Sequence, residues 1–349
     1  MSWKLLLSKK IINDNEENNN NNKQRKNMNN FKKIGLSALA GSLVVFSVNA
    51  ADMSATGGAS ISFAGQDKTA KGNGWSMNDS ITFAASAEMD NGFVVSTSFL
   101  LDDSDTTTAH TFDDRSMTIN MNEAGTISFA GRGGVSAMHS IDDMLPYADT
   151  AGWDMMTTAD GGAVREGRVT GTNASNMMRY TNSSLVDGLS VAVSYVPSNG
   201  TVVESTTSWN VQYSGVEGLT VGYGQDENGT GVASTEVDSE AMFVTYAYGP
   251  VTVGYQKSED DAATAAASDE FSGYGISYAV SDDLSVSFTE TAYDLGSSTT
   301  DEETTTIGAS YTMGSMTLAV TLNEADNIGG STAALDSVEG YDFTLSFAF

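Results

Sequence analysis

Four arginines and a run of carboxylates lie close together in a chain that is otherwise poor in cations. Arg132, Arg165, Arg168 and Arg179 fall within positions 132–179, interleaved with Asp142, Asp143, Asp149, Asp154, Asp160 and Glu166. Only eight Lys and Arg follow Ala50, so half of them sit in this one segment. Guanidinium groups that face carboxylates across a narrow, wet passage create a transverse field that sorts solutes by size and charge. Pairing that only pins a loop is the other reading, and it applies most directly to Arg165 and Arg168.

Other constellations offer less. His110 and His139 stand alone, with no HExxH and no nucleophile placed to form a triad, so catalysis has no support and an enzyme is not expected. Gly131-Arg132-Gly133-Gly134 lacks the Lys-Ser/Thr and the helix of a phosphate-binding loop. Asp102, Asp103 and Asp105, and separately Asp226 and Glu227, could bind calcium through oxygen ligands, against the simpler reading of solvated acidic loops. No cofactor is required.

The segment that carries the arginines runs from about Gly131 to Ser175 and shows neither helical nor strand periodicity, so other elements must position it. The first 50 residues are not among them. Met28 opens a short basic region followed by an apolar run from Ile34 to Val48 and an A-x-A-like cleavage site ending at Ala50, the pattern of a secretory signal peptide over 28–50. Residues 1–27, with their Asn run, are expected to be an over-extended start.

Eight of the 16 Lys and Arg and three of the 45 Asp and Glu lie before Ala51, which leaves 8 against 42 and a net charge of −34 over residues 51–349. Such a surface repels polyanions and excludes nucleic acid as a partner. Cysteine is absent, so the disulfides of small exported domains are absent as well. No stretch after Ala51 is long and apolar enough for a membrane-spanning helix, but spanning by strands leaves a much weaker trace.

That weaker trace recurs along the chain. Leu189, Val191, Val193, Tyr195; Leu219, Val221, Tyr223; Val251, Val253, Tyr255; and Tyr341, Phe343, Leu345, Phe347, Phe349 each alternate with small neutral residues such as Ser190, Ala192, Gly222 and Gly254. A soluble sandwich would carry Lys, Glu and Arg on the second face. Here charge is nearly confined to the connections, which fits strands with lipid on one side and a lumen on the other. Connections alternate between tight turns and long acidic or Thr/Ser-rich loops, as in outer-membrane barrels. We count sixteen strands, the fifth at 125–132 and the sixth at 175–182. Nine tyrosines near strand ends, Tyr293 among them, suggest interfacial girdles.

Together the exported start, the sixteen alternating strands, the enlarged loop after the fifth, Asn176-Met-Met-Arg-Tyr180 and the terminal Tyr341-to-Phe349 strand resemble the general (non-specific) Gram-negative porins of the alphaproteobacterial type. The resemblance covers 51–349. It implies an all-β fold, a 16-stranded antiparallel transmembrane β-barrel with an inward-folded third loop over 131–175, sitting in the outer membrane among lipids and lipopolysaccharide. It further implies a homotrimer, calcium bound by acidic loop residues in some members, and a terminal aromatic, Phe349, offered to the barrel-assembly machinery.

Alternation then places Arg179 on the lumen wall, because Met178 and Tyr180 face lipid, and Arg132 likewise if its strand stays regular. Both would stand opposite Asp142 and Asp143. The expected function is a passive diffusion channel for small hydrophilic solutes and ions, preferring cations. A barrel acting as structural anchor or adhesin, a substrate-specific channel and a secreted calcium-binding β-protein are the alternatives.

Overall fold

A computed structural model of the chain describes residues 52–67, 74–102, 112–147, 169–198, 204–228, 237–262, 268–330 and 337–349. The expected leader segments 1–27 and 28–50 lie outside the described residues, as do Arg165, Arg168, Asp149, Asp154, Asp103 and Asp105.

Alternating apolar and small residues form the sixteen barrel strands the sequence predicted, and a two-residue ribbon that it did not predict adds two more. They are β1 (Asp52–Gln66), β2 (Gly74–Glu88), β3 (Val94–Asp102), β4 (Arg115–Asn120), β5 (Thr126–Arg132), β6 (Gly134–Val135), β7 (Asn173–Ala174), β8 (Met177–Val186), β9 (Leu189–Val196), β10 (Thr206–Val216), β11 (Leu219–Asn228), β12 (Val237–Tyr248), β13 (Val251–Ala262), β14 (Asp269–Ala279), β15 (Leu284–Leu295), β16 (Glu302–Met313), β17 (Met316–Asp326) and β18 (Val338–Ala348). Sixteen of them close into one antiparallel barrel in chain order, with β5 beside β8 and β1 beside β18. Strands β6 and β7 form a separate two-residue ribbon at the neck of the loop between them. Closure leaves no strand edge with unpaired amides, which is the condition for crossing hydrocarbon with β-structure.

The two faces differ as the pattern required. Leu322 and Ile307 are 55% and 53% exposed on the outer wall, whereas their neighbours Thr321 and Thr306 are buried on the inner one. Outward-pointing Tyr195, Tyr213, Tyr246, Tyr255 and Tyr311 are exposed, and Tyr223 is half-buried. Tyr293 departs from the expected girdle. On β15 it shares its face with Thr289 and Thr291, so it points inward, is buried, and donates its hydroxyl to Asp269 Oδ2 at 3.0 Å.

Turns at one end are short. Asp187-Gly188 and Glu217-Gly218 link strands through glycines at φ 77° and 75°, the left-handed geometry that follows strand twist in a tight hairpin. The C-terminus joins the same end. Gly57 N–H donates to Phe349 O at 2.7 Å and Phe349 N–H donates to Gly57 O at 2.9 Å, sealing the seam between first and last strands.

Two strands are less regular than their sequences suggest. On β5 the register slips at Gly131, so that Ala130 lies opposite Ser116 and Arg132 opposite Arg115. On β8 the pairing slips between Asn182 and Val186, and the strand continues to Val186, past the expected end at 182. Asn182 Oδ1 accepts Ser184 N–H at 2.7 Å, which stabilises the irregularity locally.

Candidate functional site

The wall that receives the loop is made of small or hydroxyl-bearing residues. Strand parity aims Ser194, Ser208, Asn210, Gly224, Asp226, Gln256, Ser258 and Gly273 into the lumen, opposite the lipid-facing Val193, Trp209, Tyr223 and Tyr255. Each contributes either a hydrogen-bonding group or empty space.

The loop occupies that space. After the β6 ribbon, Met138–Ile141 forms a single 3-10 turn. Met138 and Ile141 are fully buried and pack with Val169, Ala241 and Phe243, half-buried Met144 lying against them. Further on, Leu145 joins a second cluster with Phe271, Tyr293, Leu295, Ala325, Ile328 and Val338. Glycines on the wall make room for this apolar underside. A Cβ on Gly254 would lie 2.6 Å from Pro146 Cδ, and one on Gly273 would lie 2.8 Å from Leu145 Cδ1. The small residues that mark the lumen in the sequence are therefore also the seat of the loop.

Polar contacts fix the register of the seat. Ala137 N–H donates to Ser194 Oγ at 3.0 Å and Met138 N–H to Ser208 Oγ at 2.8 Å. Gln256 Oε1 accepts Met144 N–H at 2.6 Å, while its amide nitrogen donates to the Asp142 carbonyl. On the returning stem, Val169 N–H donates to Ser258 Oγ at 3.1 Å. Backbone groups at the centre of a lumen are thus satisfied by wall side chains instead of by a ladder.

Asp226 does the most. Its Oδ2 accepts Ser136 Oγ–H at 2.8 Å and Thr172 N–H at 2.6 Å, and its Oδ1 accepts the Thr172 hydroxyl at 3.2 Å. One buried carboxylate therefore ties the outgoing stem to the returning one. Asp226 and Glu227, read as candidate calcium ligands, are consecutive strand residues whose side chains point to opposite faces, and Asp226 is bonded to the loop. Among the described residues, no three His, Cys, Asp or Glu side chains are grouped to hold a metal ion. Asp102, of the other proposed calcium group, stands at the end of β3.

Arg179 and Arg132 take different places. Arg179 is on the lumen face as expected, and its Nη2 donates to Ser140 Oγ at 2.8 Å, with a longer contact of 3.5 Å from Nη1 to the Val135 carbonyl. It braces the start of the loop. For Arg132 the condition of a regular strand fails at the Gly131 slip, and its Nη2 lies 3.5 Å from Asp113 Oδ1. Gly133 next to it has φ 66°, and a Cβ there would collide with the Asp114 carboxylate.

The loop's own acids are turned partly inward on themselves. Asp142 is buried, lies 2.9 Å from His139 Nδ1, and accepts Gly171 N–H at 2.9 Å. Asp143 Oδ2 accepts the Tyr147 hydroxyl at 3.2 Å. Sequence reasoning missed Asp226, Asn210, Gln256 and the wall serines as loop anchors. Their lumen parity was legible, but which wall the loop would meet was not.

At the loop end of β3–β5, Asp114 sits outside the strands beside Asp113, Asp102 and Arg132. Burial raises its carboxyl above the ordinary 3.8, Asp113 and Asp102 push further the same way, and Arg132 opposes them.

A closed sixteen-stranded wall with a loop packed against its inner face is the geometry of a restricted channel. Solved structures share it. The anion-selective porin from Comamonas acidovorans is similar over 86% of this chain and 100% of its own, at a TM-score of 0.62 and 15% identity. A triple mutant of the Rhodopseudomonas blastica porin is similar over 85% and 100%, at 0.62 and 14%. At these identities the likeness is one of fold. No curated protein matches the sequence. A family model described as Gram-negative porin matches residues 35–330, most of the chain. The chain belongs to the Gram-negative porin family.

Proposed function

We propose that this porin is a passive diffusion channel for small hydrophilic solutes that prefers cations over anions. Membership of the family carries the coarser part, a channel of the outer membrane. The sign of the preference needs its own argument, because the similar Comamonas barrel is anion-selective and the fold therefore does not decide it.

The observation that supports cations is the charge on the inner wall. By alternation Glu88, Asp102, Asp226, Asp260, Glu302 and Asp342 face the lumen, while among the described residues Arg179 is the basic side chain on that face of a regular strand segment. A low-dielectric wall focuses this negative potential into the passage and raises the local cation concentration. In this reading Arg179, beside the loop that carries Asp142 and Asp143, borders the constriction, Arg165, Arg168, Asp149 and Asp154 are proposed to join it, and Arg132, turned to Asp113, stands at its edge. A homotrimer and assembly through Phe349 belong to the same proposal and rest on the resemblance, and export by a cleaved leader rests on the pattern of residues 28–50.

Reversal potentials in a planar bilayer under a KCl gradient test it. The expected sign favours potassium. A potential favouring chloride overturns the preference, and an absence of conductance steps overturns the channel.

A further inference from the structure

The outer wall of β10–β13 is not evenly filled. Strand register lines its lipid-facing side chains into rows that cross from strand to strand. Tyr213, Val221, Val244 and Tyr255 form one row, and Val211, Tyr223, Met242 and Lys257 form the next toward the loop end. Every member except Lys257 lines a hollow of about 480 Å³.

Lys257 ends the second row, directly opposite Met242 and two residues along the same face from Tyr255. Its Nζ lies 2.8 Å from Glu259 Oε2 and 3.0 Å from Glu270 Oε2, and all three side chains are partly exposed. An ammonium has three N–H donors, so two carboxylates leave one to spare. The third row continues the polar cap, with Gln225 opposite Glu240 and Glu240 opposite Glu259. Tyr223 donates its hydroxyl to Glu240 Oε2 at 2.5 Å, and Gln225 Nε2 donates to the same oxygen at 3.2 Å, which holds this carboxylate at the rim of the hollow. A change from apolar to charged side chains between adjoining rows marks the depth at which hydrocarbon gives way to headgroups. The lysine stem lies along the apolar wall and its charge reaches that boundary.

Chemistry selects the occupant. An apolar hollow accepts an acyl chain, and one cation set among carboxylates complements a headgroup that carries both signs. A phosphate oxygen meets the third donor of Lys257, and the neighbouring ammonium meets a carboxylate. A headgroup bearing phosphates alone would set its anions against Glu240, Glu259 and Glu270 with one lysine to offset them. We propose that this groove docks one zwitterionic phospholipid of the phosphoethanolamine class, its acyl chain in the hollow and its headgroup across Lys257, Glu259 and Glu270. The site goes beyond the channel reading and uses only the barrel's place in a membrane.

Native mass spectrometry of the purified, delipidated porin, given dioleoylphosphatidylethanolamine in detergent, reads the site as retained lipid. One lipid per chain is expected, with phosphatidylglycerol and lipid A each retained about tenfold less tightly. Met242→Trp fills the hollow without removing a charge and is expected to abolish retention. Lys257→Met keeps the stem and loses the ammonium, and is expected to weaken retention roughly tenfold. Val286→Trp, on the outer wall of β15, leaves retention at the wild-type level, and circular dichroism verifies the barrel in each variant. No retained lipid, equal retention of lipid A or phosphatidylglycerol, or retention unchanged in either Met242→Trp or Lys257→Met overturns the site. All three variants lie outside the lumen, so the reversal potential that tests the channel stays at its wild-type value and fails or holds separately.

Discussion

Thr172 and Asp226 are joined twice, by the Thr172 backbone N–H to Oδ2 at 2.6 Å and by its hydroxyl to Oδ1 at 3.2 Å. Because Ser136 also donates to Oδ2, this pair closes the loop's neck onto β11. Replacing Asp226 with Ala leaves the buried Ser136 hydroxyl and the half-buried Thr172 donors unpaired, at a cost of up to about 1–3 kcal/mol for a buried group left without a partner. Asp226→Ala is expected to lower the thermal midpoint and to produce larger, noisier conductance steps. A variant with wild-type steps and wild-type melting shows that the clamp does not hold the loop.

The glycine seat makes a steric claim. Gly254→Val and Gly273→Leu place carbon where Pro146 and Leu145 now lie. Overpacking of this kind usually costs about 1–3 kcal/mol, and the loop can relieve it by lifting from the wall. Single-channel conductance is expected to change in both variants while the barrel's β-type circular dichroism stays the same. Unchanged conductance in both refutes the seating.

Among the described residues Arg179 carries the positive charge on the regular inner wall, and it also braces Ser140. Arg179→Ala is expected to raise the potassium-over-chloride permeability ratio roughly two- to fivefold at low salt, with the effect shrinking as salt rises. Arg179→Lys keeps the charge but loses the planar fork that reaches Ser140, so it should leave the ratio near wild type while adding current noise. A ratio that falls in Arg179→Ala contradicts the lumenal placement of this charge.

Asp114 predicts a pH slope. Its carboxyl is raised in the folded protein by burial and by Asp113 and Asp102. The folded state thus holds the proton more tightly than the unfolded state, so stability from this group is greatest at low pH. It is lost as pH climbs from the ordinary 3.8 through the raised folded value. Asp114→Asn should flatten that part of the profile and slightly stabilise the loop end at neutral pH, whereas Arg132→Ala should steepen it by removing the opposing cation. Thermal melts at a series of pH values check both; a slope unchanged in Asp114→Asn assigns it to another group.

Much of this protein was legible one residue at a time. Period-two alternation in segments such as Leu189–Tyr195 and Tyr341–Phe349 states which face meets lipid, and the neutral partners state that the other face is a lumen. Both facts are local, since successive strand side chains point to opposite sides whatever the rest of the chain does. Parity alone also put Arg179 on the inner wall. What failed at Arg132 was local too, a single extra residue at Gly131 that alternation cannot foresee because a bulge changes the count on one strand only.

The loop is a different matter. Nothing in 131–175 repeats, and its conformation comes from partners far away in the chain: Asp226 for Ser136 and Thr172, Gln256 for Asp142 and Met144, glycines at 254 and 273 for Pro146 and Leu145. Only closure of the barrel brings those strands around the loop. Sequence determined the wall and its two faces, because that information repeats every two residues. Tertiary structure decided what the wall holds, because contacts between distant strands depend on shear and closure, which no short stretch encodes.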